Sequence, residues 1–230
     1  MIESHQGTAE ASGRRAIGLI RVEITPGAED SLRSAMRRLE ENLRVKYAEM
    51  PREAMKALVP IDAYIAYYKR FGYTYHVLAQ MESITKGRRI PDALPPVAAM
   101  FMAELENGIL TAGHDLDKVR LPLRTLIATG EESYVTLSGK TVPCVAGDWL
   151  IADEEGVLSS ILRGPDLRTA ITGETRRLLY TAYAPEGVPG PVLERHLSGI
   201  EAALRLFAEM RSPAIKMIAP MDGNSMTLNV

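Results

Sequence analysis

The densest run of groups able to move protons or hold a ligand is His114-Asp115-Leu116-Asp117. One imidazole beside two carboxylates has the donor types of a metal site. The other histidines, His5, His76 and His196, have no spacing that completes a ligand set, so no metal is expected. Two further readings stay open. Asp115 or Asp117 caps the following turn by accepting backbone N–H bonds, or the run forms the rim of a pocket. A second candidate is the pair Glu104 and Glu106 in the last turn of an otherwise apolar helix. Glu104 follows Val97, Met100 and Phe101 on one face, and Glu106 follows Ala99 and Met102. Either the helix end emerges into solvent, or a carboxylate lines a pocket, where burial raises its pKa unless a cation pairs with it.

Tyr64, Tyr67, Tyr68 and Phe71 form an i, i+3, i+4, i+7 stripe that runs into Lys69-Arg70. Such a stripe packs a core, or it offers rings on which nucleic-acid bases stack while the cations hold phosphates. Arg88-Arg89, Arg120 with Arg124, and Arg176-Arg177 are further basic patches. Cys144 sits between Pro143 and Val145 with no histidine near it in sequence, which describes an inert core thiol. Gly139-Lys140-Thr141 resembles the end of a phosphate-binding loop, but the glycine needed five residues earlier is Tyr134, so it is a turn. No dinucleotide fingerprint, paired-histidine metalloprotease motif or nucleophile elbow is present.

The elements that must position these groups fall into two parts. Ala16 to Ile24 reads as a strand stopped by Pro26-Gly27. Leu32, Met36, Leu39 and Leu43 mark an amphipathic helix. Further helices are expected over Ile61 to Phe71 and from an N-cap at Thr74 to Lys86, closed by Gly87. Pro95 opens a helix that is apolar all round, hence buried, and ends at Gly108. Beyond it the period changes from helical to alternating. Short strands are expected over Ile109 to Thr111, Leu123 to Ala128, Tyr134 to Leu137, Trp149 to Ala152, Val157 to Leu162 and Arg177 to Tyr183. Pro191 opens a last amphipathic helix. Residues 212–230 show no periodicity and are expected to be a docked or disordered extension. The class is α+β: a mixed or antiparallel sheet core with flanking helices and an N-terminal helical layer. The expected division is a flexible 1–15, one domain over 16–211, and the tail.

The 230 residues carry 27 Lys and Arg against 29 Asp and Glu, a net charge of −2. That balance excludes a protein that grips nucleic acid by bulk positive charge. One cysteine excludes a disulfide framework within the chain. No apolar run reaches the length of a membrane span, and the first fifteen residues have no apolar stretch of the signal-peptide kind. A cytoplasmic protein is expected.

The order of the pieces is itself informative. Glu104-Leu105-Glu106-Asn107-Gly108, Gly113 to Lys118, Gly130 to Tyr134, Leu137 to Lys140, Gly147-Asp148 and Thr175 to Tyr180 follow one another as in a known domain. The set resembles the tRNA-binding editing domain, the B-three/B-four domain, of the phenylalanyl-tRNA synthetase β chain. It covers roughly Pro95 to Tyr183, and the helices before it are similar to those of free-standing members.

The resemblance implies an α+β fold whose pocket admits the 3′ end of a mischarged tRNA, and hydrolysis of the aminoacyl ester. An activated ester needs only an oriented water and donors for the developing oxyanion, so no protein nucleophile and no cofactor is required. By alignment, the family's pocket asparagine falls at Phe101, its pocket histidine at Ala112, and the glutamate that reads a tyrosine hydroxyl at Tyr180. Selectivity for tyrosine therefore does not carry over. The glycine of the pocket wall survives as Gly164, preceded by Arg163. The expected site has His114 and Asp115 as catalytic residues. Glu104, Glu106, Phe101, Arg163, Gly164 and Tyr180 are the expected substrate contacts, and Tyr68, Lys69, Arg70, Arg88 and Arg89 the tRNA contacts. A carboxylate behind an apolar wall suits a substrate with a cationic or strongly donating side chain. Expected partners are the tRNA acceptor end and, as a further candidate, an aminoacyl-tRNA synthetase, with neither DNA nor membrane. The alternatives are a non-catalytic module that binds tRNA or a synthetase, and a small-molecule pocket protein.

Overall fold

Strand β1 (Ala16–Pro26) alternates apolar and polar residues only in part because it is covered on both faces. It opens a computed structural model that describes residues 14–221 and 223–228. Most of the expected flexible N-terminus, with His5, lies outside the described residues. Five helices follow: α1 (Asp30–Tyr47), α2 (Arg52–Lys56), α3 (Ile61–Lys69), α4 (His76–Thr85) and α5 (Pro95–Asn107). The β-rich part contains β2 (Thr111–Asp115), a 3-10 turn (Leu116–Lys118), β3 (Leu123–Ile127), β4 (Ser133–Val135), β5 (Thr141–Pro143), β6 (Trp149–Ala152), β7 (Val157–Ser160), β8 (Gly164–Pro165) and β9 (Arg177–Ala184). Helix α6 (Gly190–Leu204) and strands β10 (Ala208–Met210), β11 (Ile215–Pro220) and β12 (Ser225–Leu228) complete the order.

The strands form two antiparallel five-stranded sheets and a separate hairpin of β4 and β5. In the first sheet β1 is central: β9 pairs along one side, while β11 and β10 share the other and β2 extends the sheet beyond β9. The second runs β12-β3-β6-β7-β8. The last segment therefore supplies an edge strand to each sheet, although its sequence shows no periodicity. Residues of β11 are half-buried or exposed, as an edge position allows, so no apolar face is written into them.

Helix α5 follows local rules. Two prolines occupy its first turn and Gly108, at φ 65°, closes it in the left-handed conformation that costs a side chain and favours glycine. It packs against α6, and α6 lies on β1. Their approach is so close that a Cβ on Gly18 would stand 2.9 Å from the Leu193 Cδ1.

Helix α3 is fixed to the sheets by phenols. Tyr64 donates to the Tyr183 carbonyl and accepts from the Leu110 N–H (2.9 Å). Tyr67 donates to Asp148 Oδ1 at 2.8 Å, and Tyr68 to the Ile161 carbonyl at 2.5 Å. Tyr75 stacks on Tyr64 with ring centroids 4.8 Å apart and donates to the Gly108 carbonyl at 2.8 Å. Buried hydroxyls must find partners, and here each partner lies on the β-rich part or at the end of α5. The tyrosine stripe is thus core. Tyr68 is 2% exposed and offers no face to a nucleic-acid base, which corrects the stacking expectation.

Candidate functional site

A cavity of about 420 Å³ opens between α5, strand β2 and the turn joining β7 to β8. Helix α5 turns Val97, Met100, Phe101 and Glu104 toward it, the i, i+3, i+4, i+7 set of one helical face. Leu110 to Gly113 form a second wall, and Ser160 to Pro165 a third. The wall is close at Gly113, where a Cβ would lie 2.8 Å from Ile171 Cδ1 and 3.2 Å from the Tyr180 ring, so any larger residue would displace the Ile171 methyl. His76, Leu137, Ile171 and Tyr183 complete the enclosure.

Glu104 is the chemically distinctive wall residue. Its side chain is buried, Oε1 accepts the Thr111 N–H at 2.8 Å, and no cation pairs with it among the described residues. Burial pushes its pKa up to about 8, against the lowering effect of the Thr111 bond. At neutral pH this carboxyl keeps its proton. Glu106, two residues on, is exposed and lines no cavity.

The Ser160 hydroxyl is already committed. It donates to Asp148 Oδ2 and accepts the Arg163 N–H at 3.2 Å. Asp148, buried, also takes the Tyr67 hydroxyl and the Trp149 N–H, each at 2.8 Å, and burial raises its pKa. This network fixes the β7–β8 turn and with it Arg163 and Gly164. Arg163 is exposed at the cavity, bonded to the Tyr73 hydroxyl at 2.9 Å with its guanidinium over that ring.

The structure brings Phe101, Glu104, Arg163 and Gly164 together and leaves out His114 and Asp115. Those two lie on β2 rather than in a loop, and the cavity wall ends at Gly113. His114 is fully buried. Its Nδ1 is 2.8 Å from Thr169 Oγ1, which itself donates to Asp166, so Nδ1 carries the proton and Nε2 is left without a partner. Burial lowers its pKa to about 3. Asp115 accepts the Asp117 N–H at 3.2 Å and the Thr175 hydroxyl at 2.9 Å, which is the capping role. Neither reaches a substrate in the cavity, which corrects their catalytic assignment. Tyr180 is likewise internal, donating to the Pro96 carbonyl at 2.9 Å. Lys69 and Arg70 are exposed and line neither this cavity nor a second one beside it, which Arg88 and Arg89 do line. Cys144 is buried away from both, with its thiol pushed up to about 11 by burial.

Sequence reasoning missed His76. It is the first residue of α4 and the one imidazole that lines either of these two cavities. Its only signal is position: it begins a helix that follows the tyrosine stripe.

No protein-family model matches the sequence, and no curated protein matches it either. Among solved structures, an N-terminal fragment of the phenylalanyl-tRNA synthetase β subunit from Pyrococcus horikoshii is similar at a TM-score of 0.45 and 15% identity, over 87% of this chain. The chain spans 49% of that fragment's length, and the likeness is a distant one.

Proposed function

We propose that the cavity receives the aminoacyl group of a mischarged tRNA and that the protein hydrolyses the ester joining it to the tRNA 3′ end, acting as an aminoacyl-tRNA deacylase. The observation that carries this reading is the buried carboxyl of Glu104, without a cationic partner among the described residues, in an otherwise largely apolar wall. A substrate side chain ending in a cation or a strong donor meets one complementary group there, and pairing with it favours the ionised carboxylate. An apolar side chain of equal size leaves Glu104 protonated and gains only contact. That difference is the selectivity.

The nucleophile in this reading is water. The cysteine lies elsewhere, and the Ser160 hydroxyl donates its proton to Asp148 and hydrogen-bonds no imidazole among the described residues. Water adds to the carbonyl carbon, the ester C–O bond breaks, and the products are the free amino acid and the 3′ hydroxyl. The sequence resemblance to an editing domain supports the same chemistry.

A second reading is a non-catalytic module that binds tRNA. The internal placement of His114 and Asp115 favours it, since the cluster nominated for catalysis is structural. A panel of mischarged tRNAs, timed against a no-enzyme control, separates the two. The deacylase reading expects the fastest hydrolysis for a cationic amino acid and loss of that preference in Glu104→Ala. Equal rates across the panel refute the selectivity, and tRNA binding without hydrolysis establishes the module.

A further inference from the structure

The second cavity, about 440 Å³, shares its partition with the first: His76 and Phe101 line both. Its floor is one face of α4, where His76, Ala79, Gln80 and Ser83 stand at i, i+3, i+4 and i+7. Arg88 and Arg89 are exposed in its lining, form no ion pair with a carboxylate among the described residues, and share this cavity with no acidic side chain, although Arg89 also borders a neighbouring cleft that holds Glu40 and Glu41. The two cavities thus differ in chemistry. The first has the buried Glu104 carboxyl in its wall with the Arg163 guanidinium at its edge, and the second has two guanidinium groups and no acidic side chain in its lining.

We infer that they are the two halves of one site: the first takes the amino-acid side chain, the second takes the terminal nucleoside with its 5′-phosphate on Arg88 and Arg89, and the ester between them lies at His76, a catalytic residue. This rests on the deacylase reading. A molecule that spans both cavities crosses the partition through a short linker, and an ester carbonyl is such a linker. Guanidinium pairs bind phosphate through paired N–H donors, and the one acidic group in either lining, Glu104, is in the first cavity, so the phosphate is assigned to the Arg88 and Arg89 end. At the partition His76 accepts a proton from the attacking water as its oxygen bonds to the carbonyl carbon. The imidazolium then returns that proton to the departing 3′ oxygen. His76 is exposed at the partition, and partial desolvation lowers its pKa, which favours the proton-accepting form of the ring. The Tyr68 and Tyr75 rings, 6.4 and 6.1 Å away, are neutral neighbours; the titratable and charged groups that share its cavities are Glu104 and Arg163 on one side and Arg88 and Arg89 on the other, and His114 and His196 line neither cavity.

The test has two arms on the full chain. In the first, 5′-AMP and adenosine are titrated into the protein at low salt. AMP is expected to bind about tenfold more tightly, and the double variant R88A/R89A to erase the difference. Equal binding of the two probes, or an unchanged preference in the double variant, overturns the nucleotide half whether or not the protein is a deacylase. In the second, mischarged tRNA is hydrolysed under steady-state conditions. R88A/R89A is expected to raise KM about tenfold with kcat within about twofold. His76→Ala is expected to lower kcat about 100-fold, within the usual range for a general base, with KM unchanged and with added imidazole restoring part of the rate. An unchanged kcat, or a loss that imidazole does not rescue, overturns the role of His76. Phosphate-dependent AMP binding with no hydrolysis of any ester overturns the deacylase reading and the proton transfer, and leaves the nucleotide half standing.

Discussion

Replacing Glu104 by glutamine isolates the titration of one buried group. The carboxyl titrates near 4.5 when unfolded and near 8 in the folded chain. Between those values the folded protein holds a proton that the unfolded chain has released. Stability is therefore full below about pH 4.5, falls as pH rises toward 8, and is flat above it. A displacement of this size corresponds to about 5 kcal/mol across the window, with a slope of up to about 1.4 kcal/mol per pH unit. Water entry and relaxation of the last turn of α5 make that an upper bound. Glutamine keeps the acceptor for the Thr111 N–H and cannot titrate, so E104Q lacks this slope while His114 and His196 titrate equally in both proteins. Urea unfolding followed by the emission of the fully buried Trp149 supplies the measurement from pH 5 to pH 9. Wild type should lose about 4 kcal/mol relative to E104Q over that range. Curves that stay parallel within about 0.5 kcal/mol, well below that value, would refute the raised pKa. With it would go the protonated carboxyl on which the selectivity depends.

Other expectations follow from buried groups. His114 has its pKa lowered from 6.5 to about 3, so the unfolded chain takes up a proton that the folded one refuses; stability should fall on acidification below pH 6.5, and His114→Asn should flatten that fall. Denaturation series from pH 4 to 6.5 that remain parallel for the two proteins contradict it. Tyr67→Phe removes the hydroxyl between Asp148 and the Trp149 N–H, and should cost about 1–3 kcal/mol with a shift in Trp149 emission. A cost below about 0.5 kcal/mol, less than a typical buried hydrogen bond contributes, would mean that water replaces the phenol.

Local chemistry made several elements legible and left others out of reach. The bounds of α5 were readable because prolines in the first turn and a left-handed glycine at the end act within a few residues. The expected hairpin turn at Gly139 is found, with its N–H bonded to the Thr136 carbonyl at 2.8 Å. The tyrosine stripe was legible as a stripe, but its spacing is the same for a core and for a stacking surface. Only the acceptors on β9, in the turn after β7 and at Gly108 decide between them. Strand β11 was illegible because an edge strand with half-exposed residues carries no alternation, and its pairing with β1 is made by backbone groups that every residue has.

By itself the sequence determined that Glu104 sits in the last turn of a buried helix and that Gly164 marks a turn, because helix period and glycine conformation are local properties. What it left open was the direction each group faces. Glu104 lines a cavity rather than solvent because β2 returns over the end of α5 and supplies the Thr111 N–H. His114 faces Thr169 because the register of β2 on β9 sets which side of that strand is inside. Facing is a property of what packs over a residue, and the packing partners here are separated by up to dozens of positions in the chain. The tertiary structure therefore chose between candidates that the sequence could only assemble.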